Sequence, residues 1–164
     1  MLNHRSLVNL LWRSALILTT SGLVVVCGNR AFAQIQPDNT LGTENSIINN
    51  IDALNKRIDG GVKLDANLFH SFREFNVSEG GSVYFANPQG ITDIFSRVTG
   101  NNPSNIFGKL GVLGDANLFL INPNGIVFGE NASLDVGGSF VASTANGIEF
   151  GERGLFSASN PETP

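Results

Sequence analysis

Asn124-Gly125-Ile126-Val127-Phe128-Gly129 recurs as Asn146-Gly147-Ile148-Glu149-Phe150-Gly151, and the reading of the fold starts from that recurrence. In each copy an Asn-Gly pair accepts left-handed backbone angles, and β-branched and aromatic residues follow it: a turn, then a strand. The copies lie 22 residues apart. That spacing fits one coil of a parallel β-helix, where each coil adds a few short strands joined by tight turns. The competing reading is hairpins of a β-sandwich that share a common turn peptide.

Other recurrences support a solenoid. Asp65-Ala66-Asn67-Leu68-Phe69 returns as Asp115-Ala116-Asn117-Leu118-Phe119, 50 residues on, and Asn87-Pro88-Gln89-Gly90-Ile91 foreshadows Asn122-Pro123-Asn124-Gly125-Ile126. These Asn, Pro and Gly groups are turns with a mechanism, because Pro presets φ and Asn and Gly tolerate positive φ. Between the turns lie strand-sized runs rich in β-branched and aromatic residues, at 82–85, 117–121 and 126–128. Glycine is abundant, 19 of 164 residues, against the ~7% usual in globular chains. Beyond residue 33 the best helix candidates are short, 46–54 and 92–98. The class is all-β.

A solenoid needs a stacked core and closed ends. Of the twelve phenylalanines only Phe32 precedes residue 34. Inward-facing phenylalanines on successive coils are expected to stack, each worth ~1.5–3 kcal/mol when fully buried. Asparagines repeated at one corner are expected to form a hydrogen-bonded ladder. The less regular stretch 34–85 is expected to fold over one end as a cap, since an open coil exposes unpaired backbone groups. At the other end the chain runs into breaker residues, Ser157 to Pro164.

The first residues read as an export leader. His4, Arg5 and Arg13 supply positive charge without an acid, an apolar run follows from Ala15 to Val26, and Ala31-Phe32-Ala33 gives a small-x-small cleavage pattern. The run is too short to span a bilayer. We therefore expect a signal peptide at 1–33, with Ala31 and Ala33 marking cleavage before Gln34, and one domain at 34–164. Cys27, the single cysteine, follows Val26 rather than the small residue that lipid attachment needs. Cleavage at Gln34 leaves a chain without cysteine or disulfides, even in an oxidising compartment.

Loss of the leader also removes Arg5, Arg13 and Arg30, leaving seven basic residues against fourteen acidic ones, a net charge of −7. That balance argues against nucleic acid or an anionic membrane as partner. No later segment is apolar for long enough to span a membrane. His70 is the only histidine beyond the leader, so zinc and iron–sulfur sites are not expected. In the context Leu68-Phe69-His70-Ser71-Phe72 a buried structural role outweighs a catalytic one. No serine occupies a G-x-S-x-G elbow, and Gly108-Lys109 lacks the rest of a phosphate loop. We expect no catalytic residue, no cofactor and no metal.

The run Asn122 to Gly129, followed by Asn131-Ala132-Ser133-Leu134-Asp135-Val136-Gly137-Gly138-Ser139-Phe140-Val141-Ala142-Ser143-Thr144, resembles the N-terminal domain of filamentous-haemagglutinin-type exoproteins. This is the TPS domain of two-partner secretion, with its haemagglutination-activity-like fold. Phe72-Arg73-Glu74-Phe75-Asn76-Val77, Ser96-Arg97-Val98-Thr99-Gly100 and Ser104-Asn105-Ile106-Phe107-Gly108 match its pattern in order. The resemblance covers about residues 36–156.

It implies a right-handed parallel β-helix with a capped N-terminus, carried across the inner membrane by the Sec system. An outer-membrane transporter of the Omp85 type would then recognise it in the periplasm, before release or display at the cell surface. Asn122, Pro123, Asn124, Gly125 and Ile126 match the family's NPNGI motif, and Asn87, Pro88, Gln89, Gly90 and Ile91 form a relative of it. The motif serves either the turn or recognition by the transporter, and the turn has the complete backbone explanation. Family exoproteins carry many more coils, so the chain is expected to be a truncated or split product or a stand-alone module. Two further functions compete with secretion targeting: an adhesive β-helix that binds glycans or cell surfaces, and a carbohydrate-active β-helix enzyme.

Overall fold

The structure, a computed structural model, describes residues 35–164. The expected signal peptide (1–33), Cys27 and the cleavage residues Ala31, Ala33 and Gln34 lie outside the described residues. The described chain winds into a parallel β-solenoid of four coils, with no α-helix and one short 3-10 turn.

Two strands form the N-terminal cap. These are β1 (Ile35–Pro37), antiparallel to β5, and β2 (Ser46–Asn50), antiparallel to β3. Coil 1 contains β3 (Asn55–Gly60), the short return strand β4 (Val62–Leu64) and β5 (Asn67–Phe75). Coil 2 contains β6 (Ser82–Ala86), β7 (Asp93–Val98) and β8 (Ser104–Ile106). Coil 3 repeats the pattern with β9 (Lys109–Leu113), β10 (Asn117–Ile121) and β11 (Ile126–Phe128), and coil 4 adds β12 (Ser133–Asp135) and β13 (Phe140–Ser143). Three parallel walls result. Sheet A stacks β5, β7, β10 and β13; sheet B stacks β3, β6, β9 and β12; sheet C pairs β8 with β11 and is extended by the Val77–Ile106 bridge. The cap is shorter than the stretch 34–85, because β3 and β5 already belong to the parallel stack.

The register explains why the sequence repeats are imperfect. Successive partners step by 27, 27 and 24 residues along sheet B, and by 26, 24 and 22 along sheet A. The turns shorten while the strands stay in line. The Asp65–Phe69 and Asp115–Phe119 recurrence is two coils, with Asp93-Ile94-Phe95 in register between the copies. The recurrence at 146–151 behaves differently. Its spacing equals the last step of sheet A, yet its strand does not join the stack. Instead β14 (Gly147–Glu149) turns through Gly151–Arg153 and pairs antiparallel with β15 (Leu155–Ser157).

Alternation along each strand divides two cores. Leu68, Ile94 and Leu118 point inward on sheet A, and meet Val83, Phe85, Leu110 and Val112 from sheet B and Val77 and Ile106 from sheet C. One coil has too few apolar side chains to exclude water; its neighbours supply the rest. The phenylalanines expected to stack inside do so at one pair, Phe75 on Phe85, and form a longer stack outside. Phe69, Phe95 and Phe119 stack on the outer face of sheet A, with centroids 5.3 and 4.7 Å apart, and the β14–β15 hairpin covers them in a second core. Inside, Phe75 stacks on Phe85 at 5.8 Å, and Phe72 meets Phe75 tilted and Phe85 edge-on.

Neither expected helix forms: 46–54 is β2 followed by a bend, and 92–98 is Thr92 followed by β7. Residues 92–98 form β7, in which Ile94 and Val98 face the inner core while Phe95 and Arg97 face the hairpin. A strand buried on both faces loses the polar-apolar alternation that would have announced it. In the 46–54 stretch, Asp52 accepts the backbone N–H groups of Leu54 and Asn55 at 2.8 Å and turns the chain after β2. That local bond favours a turn over helix continuation.

Side chains also clasp coils from outside. Tyr84 on β6 crosses coil 3 over Gly111, whose missing Cβ leaves room for the ring, and donates to Asp135 on coil 4 at 2.6 Å. The hydrogen bond to Asp135 raises the phenol pKa. At this end of the stack, Phe128 of coil 3 and Leu134 and Val141 of coil 4 are exposed, and β11, β12 and β13 each have one strand neighbour among the described residues.

His70 lies in the inner core, fully buried, between the rings of Phe72 and Phe85, with Nδ1 3.0 Å from Ser46 Oγ. Burial pushes its pKa down to about 3, against an opposing pull from the negative charge of Asp59. The unfolded chain protonates this ring near pH 6.5, whereas the folded chain resists until about pH 3. Stability is therefore complete above that upper value and falls through the window below it, by up to about 1.4 kcal/mol per pH unit. Urea denaturation followed from about pH 7 to about pH 4 is expected to show this slope, and His70→Gln to remove His70's share of it.

Candidate functional site

The NPNGI motif occupies the corner between sheets A and C on coil 3. Asn122 is fully buried and every polar group on it has a partner. Its Nδ2 donates to Asn102 O at 3.1 Å and to Ser104 Oγ at 3.0 Å, its Oδ1 accepts from Asn124 N at 2.9 Å, and its backbone N–H donates to Ser143 O. Gly125 takes φ 114° and returns its N–H to Asn122 O at 3.0 Å, which closes the turn. Asn124 is exposed, but its Nδ2 reaches down one coil to Gly100 O at 2.7 Å. The motif is a staple between coils 2, 3 and 4.

The related motif sits elsewhere. Asn87 to Ile91 turns the corner between sheets B and A on coil 2, where Asn87 Nδ2 donates to Ile91 O at 2.9 Å. Its Oδ1 accepts from Ala116 N of coil 3 at 3.1 Å. The two motifs do not stack on one another; they solve the same problem at different corners. The expected asparagine ladder is therefore distributed. One step of it is Asn76 Oδ1, which accepts the N–H and Nδ2 of Asn105.

The residues that sequence reasoning passed over form a polar node on the outer face of sheet A. Arg97 is fully buried. Its Nε donates to Ser71 Oγ at 2.8 Å, and its Nη2 donates to Thr40 Oγ1 at 2.9 Å and to the backbone carbonyl of Glu162 at 2.8 Å. The guanidinium lies 4.4 Å from the centroid of the Phe156 ring. Burial pushes its pKa down to about 10, opposed by the charge of Asp38. Asp38 accepts from Ser71 Oγ, Thr40 N, Thr40 Oγ1 and Thr99 Oγ1. Burial opposes its ionisation, but the hydrogen bonds from Thr99, Thr40 and Ser71 outweigh it and hold the pKa below the usual carboxylate value. The node thus joins the N-terminal cap, coils 1 and 2, and the C-terminal tail. Its one legible sign is an arginine in a strand, Asp93–Val98, that also carries Ile94, Phe95 and Val98.

Beside this node, a cleft of about 550 Å³ opens between the tip of the hairpin and sheet A, lined by Leu64, Phe69, Phe150, Arg153, Leu155 and Phe156 among others. Its rim carries an exposed Arg153–Asp65 pair at 3.9 Å. Among the described residues no group of three His, Cys, Asp or Glu side chains is placed to hold a metal ion. His70 faces neither this cleft nor the node.

Because Asn122 is buried and fully paired, Asn122→Ala removes the partner of the buried Ser104 Oγ and those of Asn124 N–H and Asn102 O. The expected cost is about 2–4 kcal/mol by urea denaturation. The exposed Asn124→Ala loses one hydrogen bond and is expected to cost about 1 kcal/mol. Equal costs would contradict the staple geometry.

Comparison with known proteins fits this architecture. The TPS secretion domain family matches residues 33–163. A heme/hemopexin-binding protein of Haemophilus influenzae is 34% identical over 72 residues, which is 44% of this chain and 8% of that protein. A second protein of that name, also from Haemophilus influenzae, is 33% identical over 67 residues, 41% of this chain and 7% of its own length. The matches thus span under a tenth of either relative. A four-coil solenoid matched over nearly all its described residues leads to one assignment: the chain belongs to the TPS secretion domain family, the domain of two-partner-secretion exoproteins.

Proposed function

We propose that this chain is the secretion-targeting domain of such an exoprotein, with no chemistry of its own. In this reading the leader, residues 1–33, takes it through the Sec system and is removed before Gln34. An Omp85-type outer-membrane transporter then recognises the domain in the periplasm and passes it out of the cell. The observation that carries the reading is the family match, which runs from residue 33 to residue 163 and so takes in cap, coils and hairpin together.

The geometry supports a recognition module. Polar side chains such as the buried Asn122 and the half-buried Asn87 and Asp38 are spent on joining coils or closing turns. Heme or hemopexin binding is named for the relatives, but under a tenth of their length is matched. The one described histidine, His70, is enclosed between Phe72 and Phe85 and cannot reach a ligand outside. We assign Asn122 to Ile126 the turn role, so that the transporter reads the domain through other surfaces.

The test combines binding and release. The mature domain is expected to bind the purified periplasmic region of its cognate transporter, and to reach the medium only from cells that make that transporter. Asn124→Ala, which leaves the staple at Asn122 in place, is expected to bind and be released as the wild type. Absence of both binding and transporter-dependent release removes the proposed function. Loss of binding by Asn124→Ala with stability retained would instead assign recognition to the motif.

A further inference from the structure

The C-terminal hairpin covers the outer face of sheet A without joining it. Its backbone is satisfied internally. β14 pairs only with β15 among the described strands, Phe150 N donates to Gly154 O at 2.8 Å, and Ala158 N donates to Asn146 O at 2.8 Å. Ser157 and Ser159 also bond back to Asn146. Lifting the hairpin therefore breaks no strand ladder. What holds it down is apolar and aromatic packing, the contact of the Arg97 guanidinium with the Phe156 ring and two polar links. Phe156 and Phe150 meet Phe69 edge-on at 4.9 and 5.8 Å, and Phe150 meets Phe95 at 5.0 Å. The links among the described residues are Arg97 to the carbonyl of Glu162 and the exposed Arg153–Asp65 pair. The connection from β13 runs through exposed Thr144, Ala145 and Asn146. A segment with its own hydrogen bonds and an exposed hinge opens as a unit at a lower cost than the whole fold.

Arg97 indicates what else this face accepts. A guanidinium offers a planar fork of five N–H donors that matches a carboxylate. Here its direct partners, Ser71, Thr40 and the Glu162 carbonyl, are all neutral, and the Asp38 carboxylate bonds to Ser71 and Thr40 rather than to Arg97 itself. Its Nη1 is buried and has no hydrogen-bond partner among the described residues. The closed hairpin thus satisfies the aromatic ladder but leaves the fork incomplete. A carboxylate placed there would make the stronger, charge-assisted pair.

Resting on the secretion reading above, we propose that this face is the docking surface for an extended segment of the transporter's periplasmic region, one bearing a carboxylate flanked by aromatic side chains. The hairpin occupies the face in cis and is displaced by that segment. The displaced state exposes Phe69, Phe95, Phe119 and Ile121 as an apolar strip beside the Arg97 fork. The cleft at the hairpin tip, beside Phe69, is where the incoming segment enters.

The experiment measures binding of two probes to three forms of the protein. One probe is a labelled peptide of alternating phenylalanine and aspartate, compared with its asparagine twin; the other is the transporter's periplasmic region. The forms are the wild type, Phe150→Ala/Phe156→Ala to loosen the hairpin, and Cys27→Ser/Asp65→Cys/Arg153→Cys. The last is read with and without a short thiol-to-thiol cross-linker that pins the hairpin tip to sheet A. The loosened form is expected to bind both probes at least about tenfold more tightly than the wild type, and to prefer the aspartate peptide over its twin by a similar factor. The cross-linked form, whose core is untouched, is expected to bind neither.

Equal binding with and without the cross-link overturns the proposal, as does equal binding of the twin. If cross-linking blocks the peptide but no form binds the transporter region, the secretion reading and the transporter as occupant fail, while the docking face itself stands. If the transporter region binds regardless of the cross-link, the secretion reading stands and this docking surface is wrong.

Discussion

Every coil of this protein depends on the coil beside it, because the residues that face inward on one turn cannot exclude water alone. Leu68, Ile94 and Leu118 form a single column only because β5, β7 and β10 are held in register by parallel backbone bonds. Register is strict here: a slip of one residue would turn Leu118 outward and bring Phe119 into the core. The turns absorb the differences in coil length, which is why steps of 22 to 27 residues coexist with columns that stay aligned. Asn122 and Asn87 are the devices that make this possible, each closing its own turn and bonding a neighbouring coil.

Outside the stack, a second layer joins the two ends of the described chain. Asp38 and Thr40 come from the N-terminal cap, Ser71 and Arg97 from sheet A, and Phe156 and the Glu162 carbonyl from the C-terminal segment. A buried arginine whose counter-charge, Asp38, reaches it only through the hydroxyls of Ser71 and Thr40 is an expensive way to fasten a surface hairpin, since desolvating the pair opposes the attraction between them. Aliphatic packing would have fastened it at lower cost. The arginine makes the attachment specific and its replacement by another acceptor possible, which links the static architecture to recognition.

Much of the architecture could be read from particular residues, and the exceptions have physical causes. The Asp65–Phe69 and Asp115–Phe119 pair gave a true two-coil repeat, since both copies pair with β7 in the same register, Asn67 and Asn117 each opposite Asp93. The Asn124–Gly129 and Asn146–Gly151 pair gave the right coil length but the wrong destination for its second copy. A turn-strand peptide specifies local shape, not which sheet it joins, and Phe150 found partners on the outer face of sheet A. The helix reading of 92–98 failed because β7 is buried on both sides. Arg97 escaped notice because its partners lie 26 to 65 residues away in the chain, and no local pattern brings Thr40, Ser71 and Glu162 together. The turn chemistry of Asn122 to Ile126 was legible because it is local.

The protein is one cooperative stack bearing a hairpin that opens by itself and yields its place to the transporter. Native-state hydrogen exchange, with and without the transporter's periplasmic region, tests this most directly. The account predicts that β14 and β15 amides exchange by local opening while β7 and β10 amides exchange only with global unfolding. It also predicts that the transporter region speeds exchange in β14 and β15 while leaving β7 and β10 protected. Exchange of all four strands with one common free energy, unchanged by the transporter region, would contradict it.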